Sequence, residues 1–402
     1  MKGKLSLFII LGLLLGIIGG ITLPNVMNEL SFLGTSYINI LRFMIIPIIF
    51  TSVMVTIYKS KKESGKLLSK TLLTFLVMFI ATFLLTSLIV WIFNPAANFT
   101  FDIVEWQGEV AEYGFAEVIA NLIPSNFVTM IANNSIFACI MVAFIFGLAG
   151  AKVKTAAPVM EFTTGLRDIL FKILEYIMYI TPIGVFSLVG TTVANNGMDI
   201  INVGLVYIAV AYACSILTLL LVMMLPVWIY AKINPITYIK RVWKAWVVST
   251  STCSSAATMP YTLKVCNEEF KIPTKITNVV VPLGTTIHFC GGAVSFALLG
   301  LFCSALFGIE VTLLTYLLMI LSATMINAAA PGIPGGGIVL GATYLSILGI
   351  PLSFIGLYSG FYRVLDMSYT TLNVTGDISA NILLNEHEKK NGAKNAKRRV
   401  SK

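Results

Sequence analysis

Charge is what this sequence has least of. Across 402 residues only 11% are charged and histidine occurs twice. A soluble domain carries about 25% charged residues, and here the stretch from Thr71 to Phe101 has none at all. An ordinary water-exposed domain is excluded. Paired cysteine spacings are also missing. The six cysteines, Cys139, Cys214, Cys253, Cys266, Cys290 and Cys303, sit in or beside apolar segments and read as small packing residues. No HExxH, no GxSxG and no histidine-rich cluster occurs, so an intramembrane enzyme would lack its nucleophile, base or metal.

What the chain has is apolar length. It is 57% hydrophobic with a mean hydropathy of +0.90. A spanning helix needs roughly 20 apolar residues, and spans are expected at about 5–23, 32–58, 68–94, 118–150, 160–190, 203–231, 276–306 and 352–384. A β-barrel would show short alternating segments instead. The first run lacks a small-x-small cleavage site and is read as a retained helix. With the N-terminus inside, "KSKKESGK" (59–66), "AKVK" (151–154), "KINPITYIKR" (232–241) and the tail "KKNGAKNAKRR" (389–399) all fall on one side. That is the positive-inside pattern. It accounts for the net charge of +9 without a nucleic-acid partner.

Two segments do not fit as simple spans. Residues 242–265 contain "STSTCSSAATMP" and are flanked on both sides by inside sequence. Residues 312–350 contain "NAAAPGIPGGG" and lie between outside ends. Two oppositely oriented re-entrant hairpins are therefore expected, each interrupted by small or helix-breaking residues. Broken helices at membrane depth are tolerated only where they are buried or line a cavity. Such a pair points to a transporter's midplane site. The plainer alternative is that Ser, Thr, Gly and Ala allow close helix packing. In the last span Arg363, Asp366, Thr370, Asn373 and Asp377 recur at helical steps and share one face. Ionisable groups inside a span mark an ion or substrate path. A self-contained Arg363–Asp366 pair is the alternative for Arg363. Asp377 has no basic residue within one turn.

These residues resemble the dicarboxylate/amino acid:cation symporter family, the glutamate and aspartate transporters. "SSAATMP" is similar to its first hairpin tip, "VPLGTTIHFCGG" to its seventh span, "AAAPGIPGGG" to its second hairpin tip and "LNVTGD" to its eighth span. The resemblance implies an all-α polytopic fold of eight transmembrane helices plus two oppositely oriented re-entrant hairpins in inverted repeats. It implies a homotrimer. The scaffold would comprise residues 1–63 (spans 1 and 2) and 95–193 (spans 4 and 5). The mobile transport unit would comprise 64–94 (span 3) and 194–385 (span 6 to span 8 with both hairpins), moving as an elevator, with 386–402 a basic cytoplasmic tail. By position, Ser254, Ser255, Gly292, Ile333, Asp366, Tyr369, Thr370 and Asn373 would hold substrate. Asp366 and Thr370 would take its amino group, Ser255 and Asn373 its α-carboxylate. Gly284, Asn373 and Asp377 would form one cation site, and Thr286 with the backbone around Asn327, Ala328 and Ala330 another.

Departures from the family pattern carry the specificity reading. Acidic-substrate members have an arginine where this chain has Tyr369 and a threonine where it has Gly292. A buried carboxylate without a cationic partner costs several kcal/mol, so the expected substrate is neutral: serine, threonine, alanine or cysteine, or else cystine. An acidic amino acid or C4-dicarboxylate served by Arg363, and amino-acid exchange, stay open as alternatives. His288 and Cys290 stand where a further sodium site has Asn and Asp, and Phe75, Met78 and Phe79 where it has hydroxyls. Hard cations want oxygen ligands, so fewer sodium ions are expected per cycle, with Na⁺, H⁺ or both as coupling ions. Two readings of His288 stay open: a proton-coupling group, or a hydrogen-bonded imidazole packing near Asp377. A passive channel lacks a filter-like motif. A bacterial inner membrane with both termini cytoplasmic is the expected location.

Overall fold

The computed structural model describes residues 2–62, 66–97, 99, 124–132, 136–197, 199–327 and 335–400. Every regular element among them is helical, as hydrocarbon requires of backbone that must satisfy its own N–H and C=O groups. The first group of helices comprises α1 (Lys2–Thr22), α2 (Pro24–Glu29), α3 (Ser31–Lys62) and α4 (Lys66–Phe93). Then come α5 (Phe127–Ala132), α6 (Ile136–Gly150), α7 (Ala157–Asn196), α8 (Asp199–Thr218) and α9 (Leu225–Ala231). A wide π-helical turn, Leu219–Met224, joins α8 to α9. Pro226, which has no N–H to give, follows that turn directly.

Five stretches are long and apolar enough to cross a membrane: Pro24–Tyr58, Leu67–Phe93, Lys154–Asn195, Ile201–Ala231 and Thr274–Leu306. They coincide with the second, third, fifth, sixth and seventh expected spans. Leu7–Thr22 is apolar but shorter. The described part of the fourth span is helical over α5 and α6, and 118–123 and 133–135 lie outside the described residues. The last span is helical but its inward face of acids, amides and hydroxyls lowers its hydropathy.

The helices pack in two sets. α1 and α3 both lie along α7, and α6 lies along α3. Gly12, Gly16 and Gly20 form one stripe of α1 set against the Pro182, Phe186 and Gly190 backbone, where any Cβ would clash; small residues let membrane helices approach this closely. In the second set α16 (Ser353–Val400) is the axis. Against it pack α8, α10 (Pro235–Thr252), α12 (Thr274–Ile287) and α13 (Cys290–Leu306). α4 covers α13 from outside. The Thr274–Leu306 stretch is 89% buried and Ile201–Ala231 only 33%, so the core of this set is α13 and the rim is α8.

The first hairpin is α10 folded back on α11 (Ser255–Lys264). It starts at Pro235, seven residues before the expected 242, because Asn234 caps α10 by accepting the Ile236 N–H at 2.8 Å. Cys253 ends α10 in the left-handed region (φ 49°), and Ser254 caps α11 by accepting the Ala257 N–H at 3.2 Å. The second hairpin pairs α14 (Leu313–Asn327) with α15 (Gly336–Ile347). Its tip, 328–334, lies outside the described residues.

Within the Thr274–Leu306 span the helix is broken. α12 stops at Ile287 and α13 resumes at Cys290, with His288 (φ −112°, ψ 94°) and Phe289 (φ −120°, ψ 85°) extended between them. α16 runs on through the basic tail expected from 386, helical to Val400.

Candidate functional site

The polar face of α16 meets the broken backbone around a cavity of about 60 Å³. That is room for ordered water or small polar groups. Its wall includes Ser255 from the start of α11, Gly292 from the start of α13, and Gly336 and Gly337 from the start of α15. Three helix N-termini thus converge, each with backbone N–H groups and the positive end of its dipole. α16 contributes Tyr362, Asp366, Tyr369, Thr370 and Asn373, and α14 contributes Asn327. Phe289, Phe296 and Leu340 supply apolar wall. No lysine, arginine or histidine lines the cavity among the described residues.

Asp366 is buried, and the Thr370 hydroxyl donates to its Oδ1 at 2.9 Å. The Tyr362 hydroxyl and the Gly335 N–H also reach this carboxylate. Tyr369 presents its ring to the cavity, while its hydroxyl lies toward Tyr207 and Ser295. Asn373 stands at the junction of two sites: it lines the cavity, and its Oδ1 accepts the Gly291 N–H at 2.7 Å. That bond satisfies a donor freed by the helix break. The buried Oδ1 of Asn327 has no hydrogen-bond partner among the described residues, an acceptor left open beside Gly292.

One turn beyond Asn373, Asp377 is 1% exposed and its Oδ1 lies 2.9 Å from His288 Nδ1. Cys290 Sγ lies 3.2 Å from His288 Nε2. Phe75 of α4 stacks flat on the imidazole, centroids 4.1 Å apart and planes 4° apart. Met78 and Phe79 are buried on the same helix. The Asp377 carboxylate rests against Gly284, where no side chain fits, and the Gly284 carbonyl accepts the His288 N–H at 2.9 Å. No group of three or more His, Cys, Asp or Glu residues is placed to hold a metal among the described residues. One carboxylate with amide and carbonyl oxygens suits a monovalent hard cation better than a divalent one.

Of the expected site residues, Ser255, Gly292, Asp366, Tyr369, Thr370 and Asn373 line one cavity. Ser254 instead caps α11 beside it. Gly284 and Asp377 meet as expected. Thr286 is exposed and donates to the Leu283 carbonyl at 2.8 Å, away from Asp377. Asn327 lines the cavity, whereas Ala328, Ala330 and Ile333 lie outside the described residues. Arg363 does not line the cavity. It donates to the Ser251 carbonyl at 3.0 Å and the Thr252 carbonyl at 3.5 Å. Tyr362 was missed, although its spacing of four before Asp366 puts it on the same face. Phe289, Ser295 and Phe296 carried no signal, because only the break at His288 turns them inward.

The chain aligns along most of its length with bacterial carriers. It is 26% identical to the proton/glutamate-aspartate symporter of Bacillus subtilis (strain 168), over 97% of this chain and 96% of that protein. It is 27% identical to the proton/sodium-glutamate symport protein of Geobacillus stearothermophilus, over 94% and 93%. It is 25% identical to a C4-dicarboxylate transport protein of Bacillus subtilis (strain 168), over 96% and 94%. The family model of the sodium:dicarboxylate symporter family matches residues 5–387, so the chain belongs to that family, whose members are secondary transporters rather than enzymes.

Proposed function

We propose that this cation-coupled symporter carries a neutral amino acid, serine, threonine, alanine, cysteine or cystine. The observation that carries the reading is a cavity with three helix N-termini and a buried Asp366 but no cationic side chain among the described residues. The N-termini suit one carboxylate and Asp366 suits one ammonium. A second carboxylate has no partner there and would pay its desolvation unaided.

Sodium, protons or both drive the cycle, with Asp377, Asn373 and the Gly284 carbonyl offering oxygen to one cation. Thr286 with the backbone from Asn327 to Ala330 would complete another. Phe75 fills the place beside His288 that a further sodium site would need. α4 and the helices from α8 to α16 would move as one transport unit against a scaffold of α1, α2, α3, α5, α6 and α7, in an elevator motion. A homotrimer belongs to the same reading, resting on the family resemblance alone. The basic clusters support a cell membrane location with both termini cytoplasmic.

Acidic substrates form the second reading, favoured by the names of the relatives. Thermal unfolding of the purified protein with serine, threonine, alanine, cysteine, cystine, aspartate and succinate separates the two. A ligand at 100 times its Kd stabilises by about 2.7 kcal/mol. Stabilisation by aspartate or succinate alone would reject the neutral reading. Substrate-dependent ²²Na⁺ and pH-gradient flux in proteoliposomes then identifies the coupling ion.

A further inference from the structure

A second cavity, of about 580 Å³, shares no lining residue with the first and lies between α4, the π-helical turn before α9 and the last apolar turn of α16. Its shaft is apolar: Val77, Met78 and Ala81 on α4, Leu221 on the wide turn, and Leu383 and Leu384 on α16. Its mouth is polar, with Lys70, Tyr230 and His387. From Lys70 to Ala81 the shaft runs about 16 Å at 1.5 Å per residue. Val77 is 58% exposed and Leu221 45%, so the shaft opens sideways, where the membrane's hydrocarbon would lie. The π turn shapes this wall: its extra residue per turn pushes Leu221 and Val222 out of helical register.

Charge at the mouth selects the occupant. Lys70 Nζ lies 2.6 Å from Glu388 Oε1. Lys390 Nζ sits 3.5 Å from the centroid of the Tyr230 ring. Lys389 is already paired with Glu386 at 2.7 Å. Lys390 also donates to the Tyr230 carbonyl at 3.4 Å. Lys70 is held by Glu388, while Lys390 beside the same mouth has no carboxylate partner among the described residues, which leaves one positive charge over. This mouth belongs to the end of the bundle where the basic clusters gather. Basic pockets between membrane helices bind anionic headgroups, and long lysine stems reach from apolar surroundings to an interface.

We propose that this groove holds one anionic phospholipid, an acyl chain along the α4–α16 shaft and the phosphate between Lys70 and Lys390. A zwitterionic lipid would bring its own ammonium to a mouth that already has a surplus of them. The site ties α4 to the end of α16 and is independent of which amino acid the carrier moves.

The test uses the full chain in a neutral detergent, with thermal unfolding and native mass spectrometry as readouts. Phosphatidylglycerol raises the unfolding midpoint and stays bound as one molecule per chain. Phosphatidylcholine and free glycerol phosphate do neither. The double variant K70Q/K390Q weakens phosphatidylglycerol binding at least tenfold relative to the unsubstituted chain, each shift being read against that protein's own lipid-free midpoint, and Val77→Trp, at an exposed position, blocks the shaft and does the same. Both keep the stabilisation by amino-acid substrate. Equal binding of the two lipids, an equal effect of free glycerol phosphate, or unchanged phosphatidylglycerol binding in both variants overturns the proposal.

Discussion

The Arg363 guanidinium donates to the Ser251 carbonyl at 3.0 Å, at the C-terminal end of α10. A cation there complements the helix dipole and satisfies a carbonyl that has no intrahelical donor. In this structure Arg363 ties the end of α10 to α16. Arg363→Lys keeps the charge but loses the fork. Uptake of serine and of aspartate should fall together, by about tenfold, as for loss of a charge-assisted hydrogen bond worth about 1.5 kcal/mol. A selective loss of aspartate uptake would instead make Arg363 a substrate ligand.

Asp366 is the one carboxylate lining the candidate site among the described residues. Asp366→Asn preserves shape and removes charge. Leaving a buried ammonium without its partner costs about 3–5 kcal/mol, so substrate Kd should rise more than a hundredfold. Isothermal titration or the thermal shift reads this directly, and an unchanged Kd removes Asp366 from the amino-group role.

Tyr369→Arg places a guanidinium where the cavity now has a phenol ring. Aspartate should gain affinity by about tenfold or more, the worth of one hydrogen bond to a charged group, while serine weakens. Competition of both ligands for the variant measures the exchange. If aspartate gains nothing, the absent cation is not what excludes it.

Gly284→Ala would drive a Cβ into the Asp377 carboxylate. Overpacking costs about 1–3 kcal/mol, so the protein should still fold with a lower midpoint. Sodium-dependent stabilisation should weaken at least tenfold, because Asp377 must turn away. Sodium titrations before and after the substitution report it.

His288→Asn removes an imidazole that contacts Asp377 on one side and Cys290 on the other. Loss of a group that orients a cation ligand costs about 10–100-fold in affinity or activity. The expected outcome is slower uptake with an unchanged pH profile, which fits an orienting role. A flattened profile from pH 5 to 8 would assign the coupling proton to His288.

Much of this was legible in order along the chain. Apolar runs located α1, α3 and α4 to within a few residues and α7 to within about six, and took α8, the π turn and α9 as one span, because a membrane helix must be long and uncharged. The Ser/Thr and Pro/Gly clusters located both hairpins. Helical spacing put Asp366, Thr370, Asn373 and Asp377 on one face. The break at His288 was not legible, since "TTIHFCGG" carries no proline and lies inside one long apolar run, Thr274–Leu306. It depends on Asn373 taking the Gly291 N–H and on Asp377 meeting His288, both across many residues of sequence. Tyr362 and Arg363 show the same limit: neighbours in sequence, one turns to Asp366 and the other to Ser251.

The sequence alone determined that the chain is helical with several membrane-length apolar helices, since hydropathy is a local property. Only tertiary structure decided which polar groups share a cavity and which are consumed elsewhere. The reason is physical: a buried donor or acceptor must be satisfied by whatever packing brings to it, and no one-dimensional pattern records that partner.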